Sequence, residues 1–142
     1  MSYLVDTNVL SELRKGQRCD PNVFRWFSAV PEEDVFLSVL VVGEIWRGIE
    51  RIRRRDSRSA RTLEAWLRRL LEGHRERILP VDVEVAEEWG RLNVPDPIPV
   101  IDGLMAATAR VHGLTLATRN VRDAARTGVP CVNPFDTPSA EP

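Results

Sequence analysis

A chain of 142 residues, 43% hydrophobic and 29% charged, has the size and composition of one compact domain with a buried core. Its net charge of -1 does not by itself advertise a polyanionic partner, yet of its 20 cationic residues only Lys15 is a lysine; the others are arginines, whose planar fork suits phosphate and carboxylate. Two distant cysteines, Cys19 and Cys131, and two histidines, His74 and His112, provide neither a disulfide framework nor the ligands of a zinc site. No segment approaches the ~18 apolar residues of a membrane span. The first residues lack a basic region followed by an apolar one, so a cytosolic protein is expected.

In chain order, Ser2 to Val5 reads as a first strand, and Asn8 to Lys15 as a helix capped by Asp6 or Thr7. Asp20-Pro21, a cap followed by proline, starts a helix to about Val30. Val35 to Ser38 is a second strand, and Ser38 caps a helix from Val39 to about Arg55. The next helix, Ser57 to Glu72, carries the apolar stripe Leu63, Trp66, Leu67, Leu70 and Leu71 and is expected to stop at Gly73. A short strand follows within Arg77 to Pro80, then a helix from Asp82 to Leu92. Pro95, Pro97 and Pro99 form a stiff loop before a helix that ends near Gly113. Thr115 to Ala117, Asn120 to Arg126 and Cys131 to Asn133 read as strand, short helix and strand. Residues 1–136 are expected to form one domain, and 137–142 a flexible tail.

Strands alternating with helices imply parallel pairing with helices on both faces. In such sheets ligands sit beyond the carboxyl ends of the strands. Asp6 stands at the end of the first strand. Glu44 lies among apolar neighbours in SVLVVGEIWRGI, Asp102 in the first turns of PIPVIDGLMAATA, and Asp123 just after the fourth strand in TLATRNVRDA. Each has a plain structural alternative: Asp6 as a cap, Glu44 paired with Arg47, Asp102 on a helix dipole, Asp123 as a surface acid and Asn120 as a cap. Taken together, converging carboxylates would repel by about 4 kcal/mol per pair at ~4 Å and an effective dielectric near 20. A divalent cation relieves that repulsion, and an oxygen-only donor set suits Mg²⁺ or Mn²⁺.

With these pieces in order, LVDTNVLSEL, SVLVVGEIWRGI, PVIDGLMAATA and LATRNVRD before GVPCVNPF, the chain resembles the PIN-domain nucleases, and within them the VapC-like toxins of toxin–antitoxin pairs. The resemblance implies a three-layer α/β/α sandwich with a mainly parallel five-stranded sheet. It implies an Mg²⁺- or Mn²⁺-dependent endoribonuclease that hydrolyses RNA phosphodiesters, is neutralised by a cognate VapB-like antitoxin, and forms homodimers and toxin–antitoxin hetero-oligomers. Asp6, Glu44 and Asp102 match the family's acids and would bind metal. The fourth acid is displaced: Asn120 stands where many members carry an acid, and Asp123, three residues on, would take the role. Thr7, Asn8, Thr118 and Asn120 would support the site, and Arg119 and Arg122 would contact substrate phosphate. An alternative keeps the fold but makes the chain a binding partner in an antitoxin-mediated, DNA-binding repressor complex. A phospho-receiver domain is rejected, since Asp6 is followed by Thr7 rather than an acid and no lysine lies beyond Lys15.

Two further features stand apart. ERIRRRDSRSAR concentrates arginines that could guide RNA or simply be a solvated helix end. The Leu63–Leu71 stripe reads as core, part of which, with the Val39–Ile49 helix, could form a groove for an antitoxin helix. Trp26, Trp46 and Trp89 read as packing residues.

Overall fold

The computed structural model describes residues 1–136. The tail expected at 137–142 lies outside the described residues. The strands are β1 (Tyr3–Val5), β2 (Val35–Ser38), β3 (Ile78–Leu79), β4 (Thr115–Ala117) and β5 (Cys131–Val132). The helices are α1 (Thr7–Leu13), α2 (Pro21–Ala29), α3 (Val39–Arg53), α4 (Ser57–Gly73), α5 (Val83–Leu92), α6 (Val100–His112) and α7 (Val121–Ala125).

Short side chains with fixed hydrogen-bonding habits set these boundaries. Asp20 accepts from the backbone N–H groups of Asn22 and Val23, and Pro21 fills the first helical position, where no donor is needed. Ser38 Oγ accepts from Leu40 N at 3.0 Å, and Asp82 Oδ1 from Val85 N at 2.9 Å. Gly113 ends α6 with φ of 65°, the left-handed region that favours glycine. Gly113→Ala is expected to cost about 1 kcal/mol, read from the thermal unfolding midpoint.

Gly73 departs from expectation. It is the last residue of α4 rather than its stop, and the chain leaves through His74 at φ −119°. His74 Nδ1 lies 2.8 Å from the Leu70 carbonyl, so a side chain satisfies the orphan oxygen that a left-handed glycine would otherwise have served.

The five strands lie in the order β3-β2-β1-β4-β5, and all four pairings are parallel. Leu4 pairs with Phe36 on one side and Leu116 on the other, which places β1 in the middle. Buried on both faces, the central strands read as continuous apolar runs: Leu4, Val5 and Leu37 are fully buried. The two edge strands are only two residues long, shorter than the sequence suggested, which leaves little unpaired backbone for another chain.

Helices cover both faces in a three-layer α/β/α sandwich. One group joins α1 to α2 and α3, and α3 to α4; the other joins α5 to α6, and α6 to α7. α3 turns Val41, Ile45 and Ile49 inward, and α4 turns Ala60 and Leu67 inward. The α4 stripe is core, with Leu63, Trp66, Leu70 and Leu71 packed around buried Leu67. α6 is buried along Met105, Ala106, Ala107, Thr108 and Ala109, and the alanines let it lie close to its neighbours. At its start, a Cβ on Gly103 would come within 3.1 Å of the Trp89 indole, so glycine there admits the ring of α5. Trp26 packs edge-on against Tyr3 at 5.1 Å, and Trp46 is half-buried beneath Arg68, as packing residues.

Candidate active site

Chain order runs outward from β1 to β2 and β3, then restarts on the other side with β4 and β5. The switch point therefore falls between β1 and β4, where an open parallel sheet leaves a crevice beyond its carboxyl ends. Asp6 follows β1 and Thr118 follows β4, one residue past adjacent strand ends.

Asp6 is both cap and pocket residue. Its backbone N–H donates to the Ala117 carbonyl at 2.9 Å, extending the β1–β4 ladder, and its own carbonyl accepts the first turn of α1. Oδ1 accepts from Thr7 N at 2.8 Å, and Oδ2 accepts from the buried Thr118 hydroxyl at 2.8 Å. The Thr118 oxygen also accepts from Asn120 N at 3.1 Å and Asn8 Nδ2 at 3.4 Å. Asn8 Oδ1 accepts from Arg119 N at 3.1 Å, so one side chain fastens the start of α1 to the loop after β4. The Thr7 hydroxyl donates to Glu44 Oε1 at 2.6 Å. Glu44 is thus half-buried on an amphipathic helix and bonded to Thr7, rather than enclosed by apolar groups or paired with Arg47.

Asp6, Asp102 and Asp123 line one narrow pocket with Thr118 and Asn120, over a floor that includes Met105. Its cavity volume is about 10 Å³, the space of a single water or small ion. Burial pushes the Asp6 carboxyl above its ordinary range, opposed by the hydrogen bonds from Thr118 and Thr7, with further upward pressure from Glu44 and Asp102. Asp102 is pushed the same way, first by burial and then by Asp123 and Glu44. Glu44 thus bears on both raised acids, although it does not line the pocket. Among the described residues, no three acidic, histidine or cysteine side chains close around one point as a ready-made chelate. The donor set is carboxylate, hydroxyl and amide oxygen around a cramped space. That suits a small hard cation keeping several waters, as Mg²⁺ does.

The raised acids fix a pH dependence. A carboxylate harder to ionise in the fold than in the unfolded chain stabilises the fold fully below the ordinary 3.8 and loses that contribution as pH rises through the folded value. In EDTA at pH 7, Asp102→Asn is therefore expected to unfold at or above the parent's temperature. Below pH 3.8 this difference should vanish. Thermal melts across that range check both statements. Glu12, Asp56 and Glu64, whose carboxyls are lowered, act in the opposite direction but equally in both proteins.

Other sequence-selected residues fall as follows. Asn120 occupies the cap position of α7, but its side chain makes no cap bond, and its backbone rather than its amide meets Thr118. Arg119 and Arg122 are exposed, and the Arg119 guanidinium lies 4.5 Å from the Phe135 ring centre. Thr127, which sequence reasoning missed, also lines the pocket. Its hydroxyl accepts from Val129 N at 3.2 Å, and its carbonyl accepts from Arg110. Only the Thr-Gly turn after α7 hinted at it. Larger cavities lie elsewhere: an open apolar one of about 730 Å³ runs along α2 past Cys19, Phe24 and Ser28, away from the acids. No helix among the described residues is long and apolar enough to cross a membrane.

Known proteins resemble this chain in sequence and fold. The Toxin FitB of Neisseria gonorrhoeae is 33% identical over 141 residues, covering 93% of this chain and 97% of its own. The VapC ribonuclease Y4jK of Sinorhizobium fredii is 31% identical, covering 94% and 97%. The structure of FitAB bound to an IR36 DNA fragment superposes with a TM-score of 0.87 at 28% identity, over 98% of this chain and 99% of that one. The sequence model of the PIN domain matches residues 3–129. With its acids at the switch point of a five-stranded parallel sheet and nearly its whole length matched, the chain belongs to the PIN domain family.

Proposed function

We propose that this protein is a divalent-metal-dependent endoribonuclease acting as the toxin of a toxin–antitoxin pair. The observation that carries the reading is the switch-point pocket, where Asp6, Asp102 and Asp123 share a space about one ion wide. The similarity to a protein named a toxin and to one named a VapC ribonuclease supports the same class. Asp6 and Asp102 would hold Mg²⁺ or Mn²⁺, with Glu44 and Asp123 reached directly or through water. When bound, the ion supplies Lewis acidity, a more acidic water and charge stabilisation at phosphorus.

The chain's own residues do the rest. Thr118 and the Thr7 backbone hold the Asp6 carboxylate in one orientation, and the Thr7 hydroxyl aims Glu44. An ionised pocket carboxylate accepts the proton lost by the attacking water. Arg119 and Arg122, beside Asn120 and Asp123 in the chain, supply positive charge at the pocket's outer side for the substrate phosphate.

The partner is a cognate antitoxin that silences the nuclease. The groove we assign to it uses the expected α4 stripe, with α1 and α2 as its other walls. It runs between α1, α2 and α4, about 250 Å³, lined by Leu10, Leu13, Phe27, Trp66 and Leu70, with Phe24 56% exposed at its edge. A homodimer carrying two such chains belongs to the same reading. Purified protein incubated with RNA and Mn²⁺ is expected to release new RNA ends, and EDTA to abolish them. RNA left intact with Mn²⁺ present overturns the reading.

FitAB bound to DNA favours a second role, membership of a DNA-binding repressor complex. The same cleavage assay separates the two. A chain that cuts no RNA but joins its antitoxin on operator DNA has only the second role.

A further inference from the structure

The arginines of the α3–α4 hairpin are not absorbed by the site. Residues 47–61 hold seven arginines against two acids, in a chain whose net charge is -1. Those acids are already engaged. Glu50 pairs with Arg53 at 2.8 Å, and Asp56 accepts from the Ser59 hydroxyl at 2.6 Å and from its backbone N–H. Glu64, across the hairpin on α4, pairs with Arg53 at 2.7 Å and with Arg68. Arg47, Arg51, Arg54, Arg55, Arg58 and Arg61 are left exposed and without an ion pair among the described residues.

Their placement is ordered. Arg47 and Arg51 stand three and seven residues after Glu44, so they follow it along one side of α3. That side is distinct from the face that buries Val41, Ile45 and Ile49. Arg51 lies about 10 Å along the axis from Glu44, two helical turns away. Arg54 and Arg55 in the turn, then Arg58 on α4, continue the positive charge to the hairpin tip. A cationic track thus leads outward from the acid-bearing crevice.

We propose that the arginine track from Arg47 through Arg51 to the α3–α4 turn binds the phosphodiester backbone of a single-stranded RNA next to the phosphate that enters the acid-lined pocket. The proposal rests on the ribonuclease reading above and adds where the flanking strand runs. An acidic pocket alone repels a polyanion, so a nuclease built around one needs cations spaced along the approach. Guanidinium groups at successive helical turns, in excess over the acids beside them and free of ion pairs among the described residues, offer repeated phosphate contacts rather than a single pair. The recognition is of backbone charge, without base preference.

The test uses the full chain carrying Asp102→Asn, so that RNA survives the measurement. Binding of a fluorescein-labelled mixed-sequence single-stranded RNA of about 20 nucleotides is followed by anisotropy across a salt series. Changing Arg47, Arg51 and Arg55 to Gln is expected to raise Kd at least tenfold near 0.1 M salt and to flatten the log–log salt slope by about 2, at ~0.7 per lost contact. Changing Arg18, Arg75 and Arg91 to Gln removes the same charge elsewhere and is expected to shift Kd by about twofold or less. Changing the three track positions to Lys keeps the charge and most of the binding, which answers the case where the Gln variant folds poorly. Track and control variants binding alike overturn the proposal. So does unchanged RNA affinity accompanied by lost antitoxin binding, which would make the track a protein contact. Cleavage by the parent chain with Mn²⁺ is scored separately. A chain that binds through the track yet never cuts refutes only the ribonuclease reading, and one that cuts while the track variant binds normally refutes only the track.

Discussion

Asp102→Asn is expected to lower Mn²⁺-dependent RNA cleavage by about 10³-fold, the scale seen when one charge-stabilising group is removed from a preorganised site. Asparagine has nearly the same shape, so the packing of α6 survives; what disappears is one of the negative charges facing the pocket. Two small effects on stability oppose one another. An acid in the first turn of α6 favours the helix dipole by about 0.3–1 kcal/mol, whereas burial and the neighbouring Asp123 and Glu44 disfavour its charge. The folded state therefore persists, which circular dichroism checks. The cation readout is independent of turnover. At a hundredfold excess over Kd, Mn²⁺ is expected to stabilise the parent by about 2.7 kcal/mol and the variant far less. Parent-like cleavage by Asp102→Asn would end the proposed chemistry.

Thr118→Val should produce the second-largest change. Valine is isosteric, so no cavity opens. Three polar contacts are lost: the hydroxyl no longer donates to Asp6 Oδ2, and Asn120 N and Asn8 Nδ2 lose their acceptor. Leaving such groups unpaired in a partly buried place costs about 1–3 kcal/mol. Outer partners of metal-binding acids typically contribute 10–100-fold, so cleavage should fall by about that factor. Thr118→Ser keeps the hydroxyl and should stay within a few-fold of the parent by both measures. If Val and Ser behave alike, the hydroxyl does not orient Asp6.

Much of the architecture was legible from local chemistry. Asp20-Pro21, Ser38, Asp82 and Gly113 are residues whose bonding habits or backbone freedom announce helix ends, and each stands at one. Tyr3-Leu4-Val5 halting at Asp6 placed an acid at a strand end before any sheet order was known. Gly73 misled because glycine permits a left-handed exit without requiring it, and His74 offered the chain another. The partners of the acids were less legible. Thr118 reaches Asp6 across 112 positions and Thr7 reaches Glu44 across 37, separations that carry no periodic trace. Glu44 illustrates the limit: Arg47 is the natural local partner on a helix, but tertiary contact with α1 prevails. Thr127 had no signal beyond a Thr-Gly turn, since only the return of the chain after α7 brings it to the pocket.

The contact between Gly103 and the Trp89 ring has a consequence for anyone altering this scaffold. Because a Cβ at 103 would crowd the indole at 3.1 Å, the spacing between α5 and the opening of α6 is one aromatic ring thick. Asp102 is the preceding residue, so the turn that carries it rests against a tryptophan on a helix that donates no acid to the pocket. Swapping that ring for a slimmer side chain would let the opening turn of α6 settle elsewhere and carry the carboxylate with it, with every acid still in place.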